Sequence, residues 1–391
     1  MPTPQGPLHV ITGATGFVGS AIVVELLNRS TADIVGIVRA ADDAEATNRL
    51  RQVLHPLVEG YGLERSLHDA IERRVTAVAG DISAPLSGVS PERLVGNRTG
   101  GIEFWHCAAS LKFQDRHGAE IDRTNIDGTG NVLGLAQVAG CRRFNAVSTA
   151  YVAGARSGPI PAAVAKVGGQ NNRYEASKIA AEQLVLASAL PARILRPGIV
   201  IGHSVTRHCT SGDGMYGLLR SLVKYRRALD RAHQGLGAEH RTELVADPGG
   251  SLGLVPIDHV AADAVGLSLA DADPGFYHLT NPTPPLVGAA LTLGFAVTGL
   301  ARPRFVADPD TLNSIDRKLH QRLEFYSSYL VNPKTFDRSS VEAVLGSAVS
   351  PGAALTSAEL RAMTRWYLEA NFDDAYHHED DRSSCVVGAD G

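Results

Sequence analysis

Thr12-Gly13-Ala14-Thr15-Gly16-Phe17-Val18-Gly19 closes a short apolar run, Leu8–Thr12, and opens a second apolar stretch with helical spacing. A strand that turns at once into a helix is the opening step of a βαβ unit, and each glycine here meets a separate demand of that turn. Gly13 frees the tight bend of a Cβ, Gly16 lets the backbone approach a pyrophosphate, and Gly19 lets helix and strand pack closely. The helix N-terminus adds N–H donors and a partial positive charge. The turn, with Thr15, Phe17 and Val18, therefore reads as a cradle for the phosphates of a dinucleotide.

Five further runs continue the pattern downstream: Asp33–Val38, Val75–Ala79, Ile102–His106, 144–148 and 192–196. They are continuously apolar rather than alternating, as expected of strands covered by helices on both faces, and helical patterns separate them. The expected fold is α/β, a Rossmann-type doubly wound parallel sheet with a smaller mixed C-terminal lobe. Beyond Gly202 the rhythm breaks. Residues 203–250 read as an insertion near the substrate, with a helix at 215–229 carrying Arg220, Lys224, Arg226 and Arg227. That basic face is either solvated or a site for an acidic ligand such as a carrier phosphate.

The 391 residues are 44% hydrophobic and 20% charged, with a formal net charge of -4. This is ordinary globular composition, and it carries no broad basic footprint for nucleic acid or an anionic membrane. Cys107, Cys141, Cys209 and Cys385 lack paired spacing, and the N-terminus lacks the regions of a signal peptide, so a cytoplasmic location is expected. No apolar run is long enough to span a membrane. His203, His208 and Cys209 have no convincing fourth ligand, and no metal is expected.

The nucleotide is decided where the second strand ends, in Val35-Gly36-Ile37-Val38-Arg39. An acid there would hold the ribose hydroxyl of NAD, whereas the Arg39 guanidinium suits the 2′-phosphate of NADP(H). NADP(H) is expected. Asp42 and Asp43 pull the other way, and Arg49 is either a second phosphate contact or a surface arginine.

Tyr174-Glu175-Ala176-Ser177-Lys178 begins another helical pattern and puts a phenol and an ammonium on one face. An ammonium beside a phenol is expected to lower its pKa from about 10 toward the working pH, as a general acid requires. Thr149 lies 25 residues earlier, at the end of the fifth strand. It could hold a substrate carbonyl oxygen, with Ser148 turned toward the strand or the cofactor; the alternative is that both hydroxyls cap the strand end.

Taken together, these motifs resemble the extended short-chain dehydrogenase/reductase superfamily over about the first 265 residues. The glycine loop, His106-Cys107-Ala108-Ala109-Ser110, Asn125 in Thr124-Asn125-Ile126-Asp127-Gly128-Thr129, the Ser148-Thr149-Ala150-Tyr151 strand end, the Tyr174 to Lys178 segment and Arg196-Pro197-Gly198-Ile199-Val200 occur in the family's order. The resemblance implies that Asp81 and Ile82 flank the adenine and that Ala108, Ala109 and Ser110 line the cofactor. Lys178 would also bind the nicotinamide ribose, while Pro197, Gly198 and Val200 border the nicotinamide. Asn125 would support the proton relay, mainly structurally.

Within the superfamily the chain is most similar to the thioester reductase and fatty acyl-CoA reductase (male sterility) branch, through Val38-Arg39-Ala40, Leu254-Val255-Pro256-Ile257-Asp258-His259-Val260, Tyr329-Leu330 and Phe336-Asp337. The function implied is NADPH-dependent reduction of a thioester, aldehyde or ketone, with Thr149, Tyr174 and Lys178 as the catalytic set. The substrate would be a small molecule or an acyl group on CoA or a separate carrier protein. A homodimer paired through helices of the nucleotide domain accords with the family. The competing readings are a nucleotide-sugar epimerase or dehydratase that recycles NAD, and a non-catalytic nucleotide-binding protein. Residues 1–202 are expected to form the NADP(H)-binding domain and 203–376 the substrate lobe. Segment 252–270 should return to the core, and 377–391 should form a polar tail.

Overall fold

A computed structural model of the chain describes residues 7–95, 101–352 and 355–372. The expected tail, with His377, His378 and Cys385, lies outside them.

Seven parallel strands form the central sheet: β1 (Leu8–Thr12), β2 (Asp33–Val38), β3 (Val75–Ala79), β4 (Ile102–His106), β5 (Cys141–Val147), β6 (Ala192–Pro197) and β7 (Gly275–Leu279). Their spatial order is 3-2-1-4-5-6-7, and every pairing is parallel. The order reverses between β1 and β4, where Thr12 pairs with His106. A crevice opens at such a reversal, outside the carboxyl ends of the strands, and ligands of doubly wound sheets bind there.

The sheet is buried on both sides, which explains the continuous apolar runs. Ile11 and Ile34 face one layer, packing with α1 (Phe17–Arg29) and α2 (Asp43–Gly60). Val10 and Val35 face the other, with α3 (Gly128–Val138) and α4 (Arg173–Ala187). The helix Ile257–Leu269 packs against α1, so this late segment completes the first layer. β7 was not among the expected strands. Gly275-Phe276-Tyr277-His278-Leu279 lacks a β-branched run, and only its parallel pairing with β6 makes it a strand.

A buried acid ties these late segments to the sheet. Glu103 Oε1 on β4 accepts from Asn145 at 2.6 Å, Arg193 at 2.8 Å and Ser268 at 2.9 Å. Its charge is thus paired and hydrogen-bonded, the condition under which an ion is tolerated in a core.

A second core lies beyond the carboxyl end of the sheet. It joins the helices Met215–Ala232, Val287–Val297 and Ser357–Asn371 through Leu219, Leu222, Leu291, Phe295, Leu360 and Met363. The first of these helices buries its apolar face there and leaves Arg220, Lys224 and Arg227 exposed. Among the described residues no helix is long and apolar enough to cross a membrane.

Candidate active site

The glycine turn has the geometry its sequence demands. Gly13 sits at φ +69°, and a Cβ there would lie 2.5 Å from the Ala108 nitrogen. A Cβ on Gly19 would lie 2.1 Å from the Gly13 oxygen, so the first turn of α1 packs directly on the loop. Gly16 caps α1 without any side-chain hydrogen bond, which leaves first-turn N–H groups open to an anion. This is a cradle that side chains would fill, and it fits the pyrophosphate of a dinucleotide.

At the end of β2 a separate cleft is lined by Arg39, Asp42, Asp43, Asp81 and Arg93. Both acids that weakened the expectation of NADP(H) are engaged in local structure. Asp42 caps α2 by accepting from the Glu45 nitrogen at 2.8 Å. Asp43 accepts from the Ala79 nitrogen at 2.7 Å and pairs with Arg93, a cation that sequence reasoning did not single out. The Arg39 side chain is exposed, and Arg49 donates to the Arg39 carbonyl, so Arg49 braces the loop.

The main cavity runs from the glycine turn to the second core. Gly13, Gly16, Phe17, Val18, Ala109, Ser148, Thr149, Tyr174, Lys178, Pro197, Gly198 and Val200 all line it. Residues more than 180 positions apart thereby share one wall. Thr15, Arg49, Ile82, Ala108, Ser110 and Asn125 line neither cavity. Ala108 instead lies beneath Gly13, and the Ile82 carbonyl accepts from Asn131 at 2.8 Å.

Asn125 is a buried brace in a π-helical turn, Arg123–Asp127. Its Oδ1 accepts from the Ser110 nitrogen at 2.7 Å, and its Nδ2 donates to the Ser110 carbonyl at 3.1 Å and to Ser177 Oγ at 2.9 Å. Ser177 in turn donates to the Tyr174 carbonyl at 2.7 Å. The loop after β4 is thus fastened to the helix that carries Tyr174.

Asn172 starts α4 by accepting from the Glu175 nitrogen at 3.0 Å, so Tyr174 falls in the first turn, one turn before Lys178. Burial pushes the Tyr174 phenol well above its ordinary range, and the neighbouring Glu175 charge adds to this. Burial drives the Lys178 ammonium down to about 8, opposed by the Glu182 charge. Here the structure departs from the sequence argument: Lys178 Nζ donates to the Val147 carbonyl at 2.7 Å, and nothing lowers the phenol. The phenol is thus held protonated in this structure, but as a weaker acid than one tuned toward the working pH.

The two hydroxyls after β5 divide their tasks. Ser148 donates to Glu182 at 2.5 Å, and Glu182 is clamped by both arms of Arg196, at 2.9 Å and 2.7 Å. Thr149 Oγ1 accepts from the Tyr151 nitrogen at 3.2 Å, a capping role that leaves its proton free to point into the cavity.

The far wall was the least legible part. Phe113, Tyr151, Phe325, Tyr326 and Tyr329 line it with Leu218, Leu219, Leu291, Leu293, Leu330 and Leu360. Phe113 stacks on Phe325 at 3.9 Å, and Tyr151 meets Tyr329 at 4.5 Å. Segment 203–250 was expected near the substrate, and the apolar face of its helix Met215–Ala232 supplies Met215, Leu218 and Leu219 to this wall, while Phe325, Tyr326, Tyr329 and Leu330 come from the helix Glu324–Val331.

The family described as male sterility protein matches residues 11–264. The chain is 30% identical over 284 residues to the isonitrile lipopeptide synthase of Streptomyces coeruleorubidus, covering 70% of this chain and 18% of that protein. It is 27% identical over 293 residues to the L-2-aminoadipate reductase large subunit of Eremothecium gossypii, covering 68% and 19%. The chain thus spans less than a fifth of the length of these relatives. Among solved structures, the terminal R domain from the myxalamid PKS-NRPS biosynthetic pathway is similar with a TM-score of 0.72 and 26% identity, over 95% of this chain and 94% of that one.

Proposed function

Because the chain belongs to the male sterility protein family of extended short-chain dehydrogenases/reductases, we propose that it is an NADPH-dependent reductase of acyl thioesters and the aldehydes they yield. The observation that carries this reading is the convergence of the glycine turn, Thr149, Tyr174 and Lys178 on one cavity whose remaining wall is mostly leucines and aromatic rings, with Ser211, Asp213 and Thr364 among them. Leucines and aromatic rings suit an acyl chain, whereas a sugar would need polar partners for its hydroxyls. The exposed Arg39, with Asp42 and Asp43 engaged elsewhere, supports NADPH over NADH.

When bound, NADPH supplies the hydride. Tyr174 would give its proton to the carbonyl oxygen, with Thr149 donating a second hydrogen bond to the same atom; from a thioester the resulting hemithioacetal then breaks its C–S bond, the hydroxyl proton passing to sulfur, to leave aldehyde and thiol. Donors already aimed at a developing oxyanion lower the barrier without reorganisation. Lys178 lines the same cavity with its Nζ on the Val147 carbonyl at 2.7 Å, and would bind the nicotinamide ribose there. The acyl group reaches the site on CoA or on a carrier protein, and the apolar wall excludes water.

The test follows NADPH oxidation with a panel of acyl thioesters, aldehydes and nucleotide sugars. Stoichiometric oxidation with thioesters is expected, and Tyr174→Phe should lower kcat by about 10² to 10⁴-fold while NADPH affinity holds. Full activity in that variant, or sugar turnover without net NADPH consumption, would overturn the reading.

A further inference from the structure

The cleft at the end of β2 presents mixed charge to any phosphate that enters it. Two guanidiniums, those of Arg39 and Arg93, line it together with three carboxylates, those of Asp42, Asp43 and Asp81. The group that distinguishes NADPH from NADH is an anion, and nearby carboxylates repel it. Each acid accepts from the backbone: Asp42 from the Glu45 nitrogen at 2.8 Å, Asp43 from the Ala79 nitrogen at 2.7 Å and Asp81 from the Ser83 nitrogen at 2.9 Å. Those bonds orient the carboxylates without removing their charge.

Asp43 has a cation as well. Its Oδ1, the oxygen that accepts from Ala79, also accepts from Arg93 Nη2. Arg93 belongs to the short helix Pro91–Val95, and the buried side chains of Val89 and Leu94 anchor that segment in the core on the Val10 side of the sheet. The pair itself stays at the surface, with the Arg93 side chain 39% and the Asp43 side chain 49% exposed. An ion pair so exposed adds little to folding stability, because water screens both charges. Its effect falls on the cleft that both residues line. There it cancels the charge of the first residue of α2, which follows closely on Arg39.

We propose that Arg93 is a second determinant of the preference for NADPH, acting by masking Asp43 rather than by holding the phosphate. With the mask in place, Arg39 meets the 2′-phosphate without a competing anion at the start of α2. Without it, the Asp43 carboxylate repels the phosphate and offers an acceptor to the free ribose hydroxyl of NADH, the role an acid plays beyond a second strand. The mask rests on the reading of the cofactor as NADPH, and it is independent of Tyr174 and of the carbonyl substrate.

Calorimetric titration of the intact chain with NADPH, NADH and 2′,5′-ADP tests the mask without turnover. Arg93→Ala should weaken NADPH and 2′,5′-ADP binding about 5 to 10-fold and leave NADH binding as tight or tighter. Arg93→Lys, which keeps the charge, should retain most of the NADPH affinity. Asp43→Asn keeps the acceptor for the Ala79 nitrogen and removes the charge, so in the Arg93→Ala background it should restore most of what was lost. A double variant as weak as Arg93→Ala would mean that Arg93 grips the phosphate directly, and would overturn the mask; so would unchanged NADPH affinity in Arg93→Ala when the parent prefers NADPH. A parent chain that binds NADH as tightly as NADPH would refute the reading of the cofactor itself, and the mask with it.

Discussion

Tyr174 and Lys178 carry different debts to their surroundings. The spacing of the pair was legible because a helix puts i and i+4 on one face. Its electrostatics were not, because burial and the Val147 carbonyl act on these groups from outside the helix. Arg39 is the complementary case. Its position at the end of β2 follows from the strand pattern, while the engagement of Asp42 and Asp43 needed the helix cap and the Ala79 backbone to be seen. Arg39→Ala should therefore weaken NADPH binding by about 10 to 100-fold, as expected for a lost charge-assisted contact, and leave NADH binding unchanged. Fluorescence titration with both nucleotides checks this; equal losses for the two would deny Arg39 a role at the 2′-phosphate.

At the scale of elements, the strand-to-helix turn is the most constrained piece of the chain. Gly19 is helical, so backbone strain is no issue, but any Cβ would strike the Gly13 carbonyl. Gly19→Ala should cost about 1 to 3 kcal/mol of stability, the usual range for overpacking, and weaken nucleotide binding as the loop shifts. Denaturant unfolding with and without NADPH measures both effects; a variant as stable as the parent would mean that the loop yields without cost. The first six strands were readable because burial on both faces writes an uninterrupted apolar run. β7 was unreadable for the converse reason: Gly275 to Leu279 becomes a strand only by pairing with β6.

Across the whole molecule, stability should depend on pH through histidines held neutral. His106 hydrogen-bonds Thr12 at 2.8 Å and Thr129 at 3.0 Å, and burial drives its pKa down to about 3; His278 falls to about 4. The unfolded chain, with histidines near their ordinary 6.5, binds protons that the folded chain refuses. Stability is therefore complete above pH 6.5 and is lost on acidification toward 3, at up to about 1.4 kcal/mol per pH unit for each such histidine. Urea unfolding at pH 7 and pH 5 tests the sign, and His106→Gln should flatten the slope; a parent chain more stable at pH 5 would contradict it. By itself the sequence determined the glycine turn, the doubly wound sheet and the placing of Tyr174 and Lys178 one helical turn apart, since each is encoded by local spacing that helix and strand geometry convert directly into position. The tertiary structure alone decided the aromatic and leucine wall and the seventh strand. These depend on which distant segments meet, and no element's own period records its partner.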